Sequence, residues 1–260
     1  MVAAATVDLN ADLAEGFGPW QMGDDAALLA VVTSANLACG FHAGDPLILA
    51  KTLALCAQHG VAVGAHPSWP DLWGFGRRPQ TGYQAHEVAA LLHYQVGAVQ
   101  TMAAVAGLPL QHMKLHGALA NQSAADPALA AACASAIAQL ANQRSLSWLV
   151  MPHTAQHAAA IQHKVPVLLE CYVDRGYDDR GLLLPRDQPG AVLHDRDFAV
   201  ARAVEAVQRQ ALPLAHGRWL PTRIDSLCVH GDNPEAVLLA QQLRVALQAA
   251  SVQVRAPTIG

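Results

Sequence analysis

Residues 36–46 read Asn-Leu-Ala-Cys-Gly-Phe-His-Ala-Gly-Asp-Pro, an apolar segment followed by a histidine and a helix-start signal. Asp45 can cap free backbone N–H groups and Pro46 fits the first helical position, so the pattern predicts a strand end, a turn and a helix. Ligands of α/β folds bind at such turns, beside the carboxyl ends of the strands. Asn36 and His42 are therefore candidate ligand-binding residues, although a capped turn with an incidental histidine would show the same pattern.

The composition excludes several classes of protein. The 260 residues are 53% hydrophobic and 14% charged, which is typical of a globular chain with a large core. The net charge of −4 argues against nucleic acid as a partner. We expect no membrane segment, since no apolar run approaches the roughly 18 residues of a spanning helix and the N-terminus lacks a signal-peptide pattern. Five widely spaced cysteines without a Cys-x-x-Cys pair suit the reducing cytoplasm.

Strand and helix patterns alternate along the chain. The strand patterns lie at residues 7–12, 34–38, 61–65, 111–115, 147–151, 166–170 and 224–229. Helical patterns between them, and no Ser-, Gly- or charge-rich linker, predict one α/β domain over residues 1–260, with a parallel sheet covered by helices. We favour a closed seven-stranded (β/α) barrel, like a depleted (β/α)8 barrel, over an open doubly wound sheet. Pairing between the first and the seventh strand would distinguish the two.

Polar side chains concentrate at the ends of these predicted strands. They are Asp8, Asn10, Asp12, Asn36, His42, His66, His112, Lys114, His116 and His230. A lysine inside a strand is costly to bury without an acidic partner, and Asp8 or Asp12 could supply one to Lys114 across the barrel. Any one strand-end histidine is more often structural than functional. Their repetition at one rim is what predicts a functional site.

Two chemistries fit these residues. Asp12, His42 and His66 supply the ligand types of a catalytic zinc or similar metal, although their spacing matches no local metal motif. Alternatively, an acidic residue acts as general base toward water while Lys114 and neighbouring histidines stabilise an oxyanion. No P-loop or dinucleotide-binding motif is present in the sequence.

Loops and helix starts add candidates for binding an anion. Arg77, Arg78, Arg175 and Arg186 lie in long loops and can pair with an anionic substrate, although surface solubility would explain any one of them equally well. The helix starts expected at Asp45 and Asn233 offer N–H groups to a carboxylate or phosphate.

Segments spread over nearly the whole chain together resemble the LamB/YcsF family. In chain order they are Asp8-Leu9-Asn10-Ala11-Asp12, residues 36–46, Gly64-Ala65-His66-Pro67, Gly74-Phe75-Gly76-Arg77-Arg78, Lys114-Leu115-His116-Gly117-Ala118-Leu119, Asp174-Arg175-Gly176-Tyr177, residues 185–190 and residues 228–237. The resemblance implies a seven-stranded β/α barrel similar to the glycoside hydrolase/deacetylase fold. Ala120 stands where the family commonly has Tyr, and Trp69 where Tyr is common, so we expect an altered pocket shape.

The resemblance also implies an activity. This is the ATP-dependent hydrolysis of the 5-oxoproline (pyroglutamate) lactam to L-glutamate, carried out with two other subunits. Because the chain lacks a nucleotide motif, ATP as co-substrate would be handled by those subunits. The alternatives are a metal-dependent amide or N-acetyl deacetylase and a non-catalytic substrate-binding subunit. A homo-oligomer is possible.

Combining the residue patterns with the resemblance gives a role for each candidate. The expected catalytic residues are Asp12, His66 and Lys114. The expected substrate-binding residues are Asn10, Asn36, His42, His116, Arg175 and His230. No metal is assigned; if a divalent metal is present, its ligands would be Asp12, His42 and His66.

Overall fold

Ten β-strands occur in the computed structural model, which describes residues 5–141, 146–231 and 235–257. They are β1 (Thr6–Leu13), β2 (Ser34–Ala38), β3 (Ala62–His66), β4 (Leu110–Lys114), β5 (Ser147–Val150), β6 (Val167–Tyr172), β7 (Ala211–Pro213), β8 (Trp219–Pro221), β9 (Ser226–Val229) and β10 (Gln253–Val254). Seven of these described strands, β1 to β6 and β9, pair in parallel in a single ring.

The ring closes between β1 and β9. Asp8 is in register with Ser226 and Asn10 with Cys228, while the other edge of β1 places Asp12 beside Asn36 of β2. Because the first barrel strand pairs with the last, the sheet has no free edge. This confirms the seven-stranded barrel and excludes the open doubly wound sheet.

Helices surround the ring. They are α1 (Asp25–Leu29), α2 (Pro46–His59), α3 (Ala85–Val105), α4 (Gly117–Ala125), α5 (Pro127–Ala141), α6 (Ala155–Gln162), α7 (Arg196–Arg209) and α8 (Ala236–Ala249). The opening of α2 is as predicted, since the Asp45 carboxylate accepts hydrogen bonds from the N–H groups of Leu47 and Ile48. At its other end, Gly60 adopts the left-handed conformation with φ of 67°.

Three features of the fold were not predicted from the sequence. Helix α4 has no side-chain cap at its start, and the β7–β8 hairpin has strands of only three residues. Strand β10 pairs with β1 in parallel, although the tail shows little pattern. Helix α4 lacks a capping signal in the sequence, and β7, β8 and β10 are too short to show a period of two. The helix start expected at Asn233 lies outside the described residues.

Among the described helices, α3 is the one that by itself reaches the length and mean hydropathy of a membrane span, and α4 with α5 reaches them only as a pair bent by 115°. The fully buried residues of α3 are Val88, Leu92, Gln95, Val96, Val99 and Ala103. They recur at helical spacing on one face, which packs on β3, β4 and α5. One-sided burial of this kind is typical of a helix that covers a barrel.

Asp8 is buried at the amino end of the barrel interior. Its carboxylate accepts hydrogen bonds from the hydroxyl groups of Thr33, Ser34 and Ser226. Burial nevertheless raises the pKa of Asp8 from 3.8 to about 6, since the hydroxyls only partly replace water.

The raised pKa of Asp8 predicts a pH-dependent stability. Between pH 4 and 6 the unfolded chain ionises this carboxyl while the folded chain keeps it protonated, so the free energy of unfolding falls as pH rises. Relative to Asp8→Asn, the wild-type protein should lose about 2–3 kcal/mol across this interval, measured by denaturant unfolding. The exposed Asp187→Asn variant is the control, and a pH-independent difference for Asp8→Asn would contradict the prediction.

A second prediction concerns the contact between β3 and β4. A Cβ atom at Gly64 would lie 2.1 Å from Nε2 of His112. The His112 imidazole can therefore pack against β3 at this position only because residue 64 has no side chain. Gly64→Ala should lower the free energy of unfolding by about 1–3 kcal/mol through overpacking. Gly97→Ala in α3, where a Cβ meets nothing within 4 Å, should instead be stabilising by about 0.5–1 kcal/mol. Equal effects of the two substitutions would refute the overpacking.

Candidate active site

The Lys114 ammonium lies inside the carboxyl end of the barrel, where its charge is paired. Its Nζ is 2.9 Å from Oδ1 of Asp12 and 3.1 Å from Oε1 of Glu170. Burial alone lowers the pKa of Lys114, but the Asp12 carboxylate and its neighbours hold that pKa well above its usual value. The expected pairing of Lys114 with Asp12 is therefore present, and the lysine is a permanent cation rather than a base.

Asp12 joins this ion pair to the histidines. Its Oδ1 meets Lys114 while its Oδ2 is 3.4 Å from Nε2 of His66. Although burial by itself raises the pKa of Asp12, His66 and Lys114 hold it well below its usual range. Asp12 thus contacts the side chains of both His66 and Lys114, the other two residues expected to be catalytic.

Two neutral groups complete the surroundings of the ammonium. The Cys228 Sγ atom lies 2.9 Å from Nζ of Lys114, and the Tyr172 ring centroid lies 4.8 Å from it. Burial raises the pKa of both the thiol and the phenol well above their usual values, so both stay protonated. The charge balance at this point therefore rests on Asp12 and Glu170.

Beneath the ion pair, Asn10 and Asn36 are fully buried. The Asn36 amide donates to Oδ1 of Asn10 at 2.7 Å and to Oδ1 of Asp12 at 2.8 Å. The Asn10 amide donates to Oε1 of Glu170 at 3.0 Å. Both side chains were expected to bind substrate; the structure places them behind the two carboxylates, which they orient, and neither lines the cavity.

A cluster of three imidazoles and one carboxylate lies beside Asp12. His116 Nδ1 is 3.0 Å from His66 Nε2 and 3.5 Å from Oε1 of Glu15, and His42 Nε2 is 3.1 Å from the same Glu15 oxygen. The rings of His42 and His116 stack with centroids 3.7 Å apart. Burial holds the pKa values of His42 and His116 well below their usual range.

A cavity of about 60 Å³ opens above these groups. Its lining residues are Asp12, His66, Arg77, Lys114, Leu115, His116, Gly117, Ala120, Asn121, Tyr172, Arg175, Leu183, Arg186 and His230. Six of the expected site residues therefore meet here, namely Asp12, His66, Lys114, His116, Arg175 and His230. His42 lies behind the cavity, and Trp69 is buried against Tyr83. Of the two family departures, only Ala120 lines the cavity.

The far wall of the cavity is built by His230 and Arg175. Both carboxylate oxygens of Asp174 lie 2.9 Å from Nδ1 of His230, which leaves Nε2 for a ligand. Arg175 is buried, and its guanidinium donates to the backbone carbonyls of Ala191 and Leu184. Its first role is thus to hold the long loop before α7 over the barrel, and substrate binding by Arg175 stays a prediction.

Sequence reasoning missed Glu15, Glu170, Tyr172 and Asp174. The alternation that identified Lys114 would also have found Glu170 and Tyr172, which share one face of β6. Glu15 gave no such signal, because Ala14 has a positive φ of 59° and ends the alternation of β1.

The sequence matches a model of one family across residues 7–259. The chain belongs to the LamB/YcsF family. A relative from Gluconobacter oxydans, named as the A-subunit of 5-oxoprolinase, is 46% identical over 259 residues, covering 99% of this chain and 100% of that one. Another of the same name, from Azorhizobium caulinodans, is 47% identical over 249 residues, covering 96% and 97%.

Among solved structures, the chain is similar to a lactam utilization protein from Thermus thermophilus. The TM-score is 0.90 at 40% identity, and the match covers 97% of this chain and 100% of that one. The two chains therefore share the same barrel over their full lengths.

The buried ion pair predicts a large effect of removing its cation. Lys114→Met leaves the Asp12 and Glu170 carboxylates buried without a counter-charge, so unfolding should become easier by about 3–5 kcal/mol. Adding Glu170→Gln should recover part of that loss, giving a coupling energy above about 1 kcal/mol in a double-mutant cycle measured by denaturant unfolding. The exposed Lys51→Met variant should change stability by less than about 0.5 kcal/mol. Additive effects at residues 114 and 170 would show that no such pair exists.

Proposed function

We propose that this chain is the LamB/YcsF-type component of an ATP-dependent 5-oxoprolinase, which hydrolyses the 5-oxoproline lactam to L-glutamate. The observation that carries the proposal is that the Asp12 carboxylate contacts both His66 and Lys114 at the floor of a small cavity. Full-length similarity to relatives named as 5-oxoprolinase subunits, and to a lactam utilization protein, supports this choice of substrate.

The chemistry explains why ATP and partners are needed. A lactam carbonyl is a poor electrophile, and phosphorylation of its oxygen by ATP, with release of ADP, activates the carbon. Water then adds to that carbon and the C–N bond breaks, with the nitrogen taking up protons. A second water hydrolyses the resulting acyl phosphate to L-glutamate and phosphate. Because the sequence has no nucleotide motif, we assign the phosphorylation to two partner subunits.

The cavity residues divide the second half of the reaction among them. Asp12 is ionised, because its pKa is held well below its usual range by the nearby charges despite burial, and together with His66 it can orient water toward the carbon. The Lys114 cation can stabilise negative charge that develops on the oxygen. His116 and His230 line the same cavity and can contact the ring, while Arg77 and Arg186 bring positive charge to its lining.

Two further parts of the proposal concern setting and assembly. We place the protein in the cytoplasm, where its five cysteines, all free and buried, would stay reduced. Its macromolecular partners would be the other two subunits, and a homo-oligomer within that assembly stays possible.

The test is an ATP-dependent assay of glutamate formation from 5-oxoproline. The chain alone should be inactive, and addition of both partner subunits should give turnover. In the assembled complex, Asp12→Asn and Lys114→Arg should lower kcat by about 100-fold or more, the effect of losing one stabilising group from a preorganised site. Lys51→Met, on α2 and outside the cavity lining, is the matched control.

Each rival predicts a different result. Turnover by the chain alone would refute the division of labour between subunits. Unchanged kcat in a folded Asp12→Asn complex would indicate a non-catalytic binding subunit. Retained binding of 5-oxoproline with lost turnover supports catalysis by the barrel.

A further inference from the structure

His66 Nε2 and His116 Nδ1 face each other, and they cannot both be unprotonated acceptors with nothing positive between them. His66 Nδ1 lies 2.8 Å from the carbonyl oxygen of Lys114, and His116 Nε2 lies 2.8 Å from that of Phe75. A carbonyl oxygen only accepts, so both of these nitrogens carry hydrogen. In the neutral rings, the remaining nitrogens, His66 Nε2 and His116 Nδ1, are then acceptors.

These two acceptors lie 3.0 Å apart in a buried site. Two lone pairs at that distance repel each other unless a cation lies between or beside them. Carboxylate oxygens lie on both sides, because Oδ2 of Asp12 is 3.4 Å from His66 Nε2 and Oε1 of Glu15 is 3.5 Å from His116 Nδ1. The arrangement therefore calls for a positive charge shared by the two imidazoles.

We propose that Glu15, His66 and His116 bind a divalent transition metal ion such as Zn²⁺. Four-coordinate zinc with bonds of about 2.0–2.1 Å separates its ligand atoms by about 3.3 Å. Two of the three separations here are 3.0 and 3.5 Å, and the third is within 4.8 Å. Two imidazoles and one carboxylate leave a fourth position for water or substrate, as in catalytic zinc sites.

His42 supports this site and is not one of its ligands. Its ring is nearly parallel to that of His116, at 6° and 3.7 Å, so an ion in the plane of His116 lies outside the plane of His42. Its Nε2 instead lies 3.1 Å from the Glu15 oxygen, which it orients. The carbonyls of Lys114 and Phe75 hold the two ligand rings in the same way, and such second contacts are typical of metal-bound histidines. Only His66 is common to this set and to the one expected from the sequence.

The ion would lie at the floor of the cavity, because His66 and His116 both line it while Glu15 lies behind them. There it would polarise a carbonyl or activate water, with the Asp12 carboxylate next to His66 as proton acceptor. This assignment goes beyond the lactam reaction and rests on contacts alone. The metal-binding measurement therefore tests the site independently of the 5-oxoprolinase assay.

The test is a calorimetric titration of the full chain with Zn²⁺ after dialysis against a chelator. We expect one tight equivalent per chain, release of protons on binding, and a higher Tm with Zn²⁺ present. Co²⁺ in its place should give the visible d–d bands of a four-coordinate site. Glu15→Gln and His116→Asn should each weaken binding by at least about 10-fold, the lower limit found for residues that merely support a metal site.

Controls separate this site from other histidines and from misfolding. His230→Gln removes an imidazole at the same rim and should leave the stoichiometry and affinity unchanged. Ser68→Ala, which removes the hydroxyl 3.0 Å from His42 Nδ1, is a milder change that should weaken binding without affecting folding, as circular dichroism would show. Absence of a tight equivalent in the wild-type chain would mean that a proton, not a metal, joins His66 to His116, and would overturn the proposal. Loss of binding in His230→Gln but not in Glu15→Gln would do the same.

Discussion

The burial of one ammonium group, that of Lys114, organises the interior of this barrel. A lysine placed there costs several kcal/mol unless its charge is neutralised at close range, and Asp12 of β1 and Glu170 of β6 do this. Those carboxylates need further partners, and Asn10 and Asn36 supply them from the layer below. The barrel axis is thus filled by a connected polar network at its carboxyl end, whereas apolar side chains pack between strands and helices.

Closure of the sheet is what makes this network possible. Glu170 lies on β6 and Asp12 on β1, strands that are far apart in sequence and that both flank β9 in the ring. In an open sheet these side chains would point to solvent or to a helix, and Lys114 would lose its second partner. The fold and the charge pairing therefore depend on each other, and in a low-dielectric interior neither partner is easily replaced.

The imidazole cluster next to the network has a different character. Its rings are held by backbone carbonyls and by Ser68, so their orientations are set by the chain and not by solvent. Preorganisation of this kind, beside an ionised Asp12 and a permanent Lys114 cation, is what a site needs to stabilise charge in a transition state. Asn36 and His42 lie outside the cavity, and they contact the Asp12 and Glu15 carboxylates of these two groups.

The sequence by itself determined the βα alternation, the Asp45–Pro46 start of α2 and the concentration of polar side chains at strand ends, because these depend on local periodicity and capping. It also indicated that Lys114 required an acid. Which acids pair with Lys114 depended on the closure of β1 onto β9. Which imidazoles lie beside Glu15 depended on the positive φ of Ala14, which turns Glu15 toward the histidines. Both are properties of the folded backbone, and a sequence pattern gives no distance between residues on separate strands. Only the tertiary structure could therefore separate the lining residues from the residues that support them.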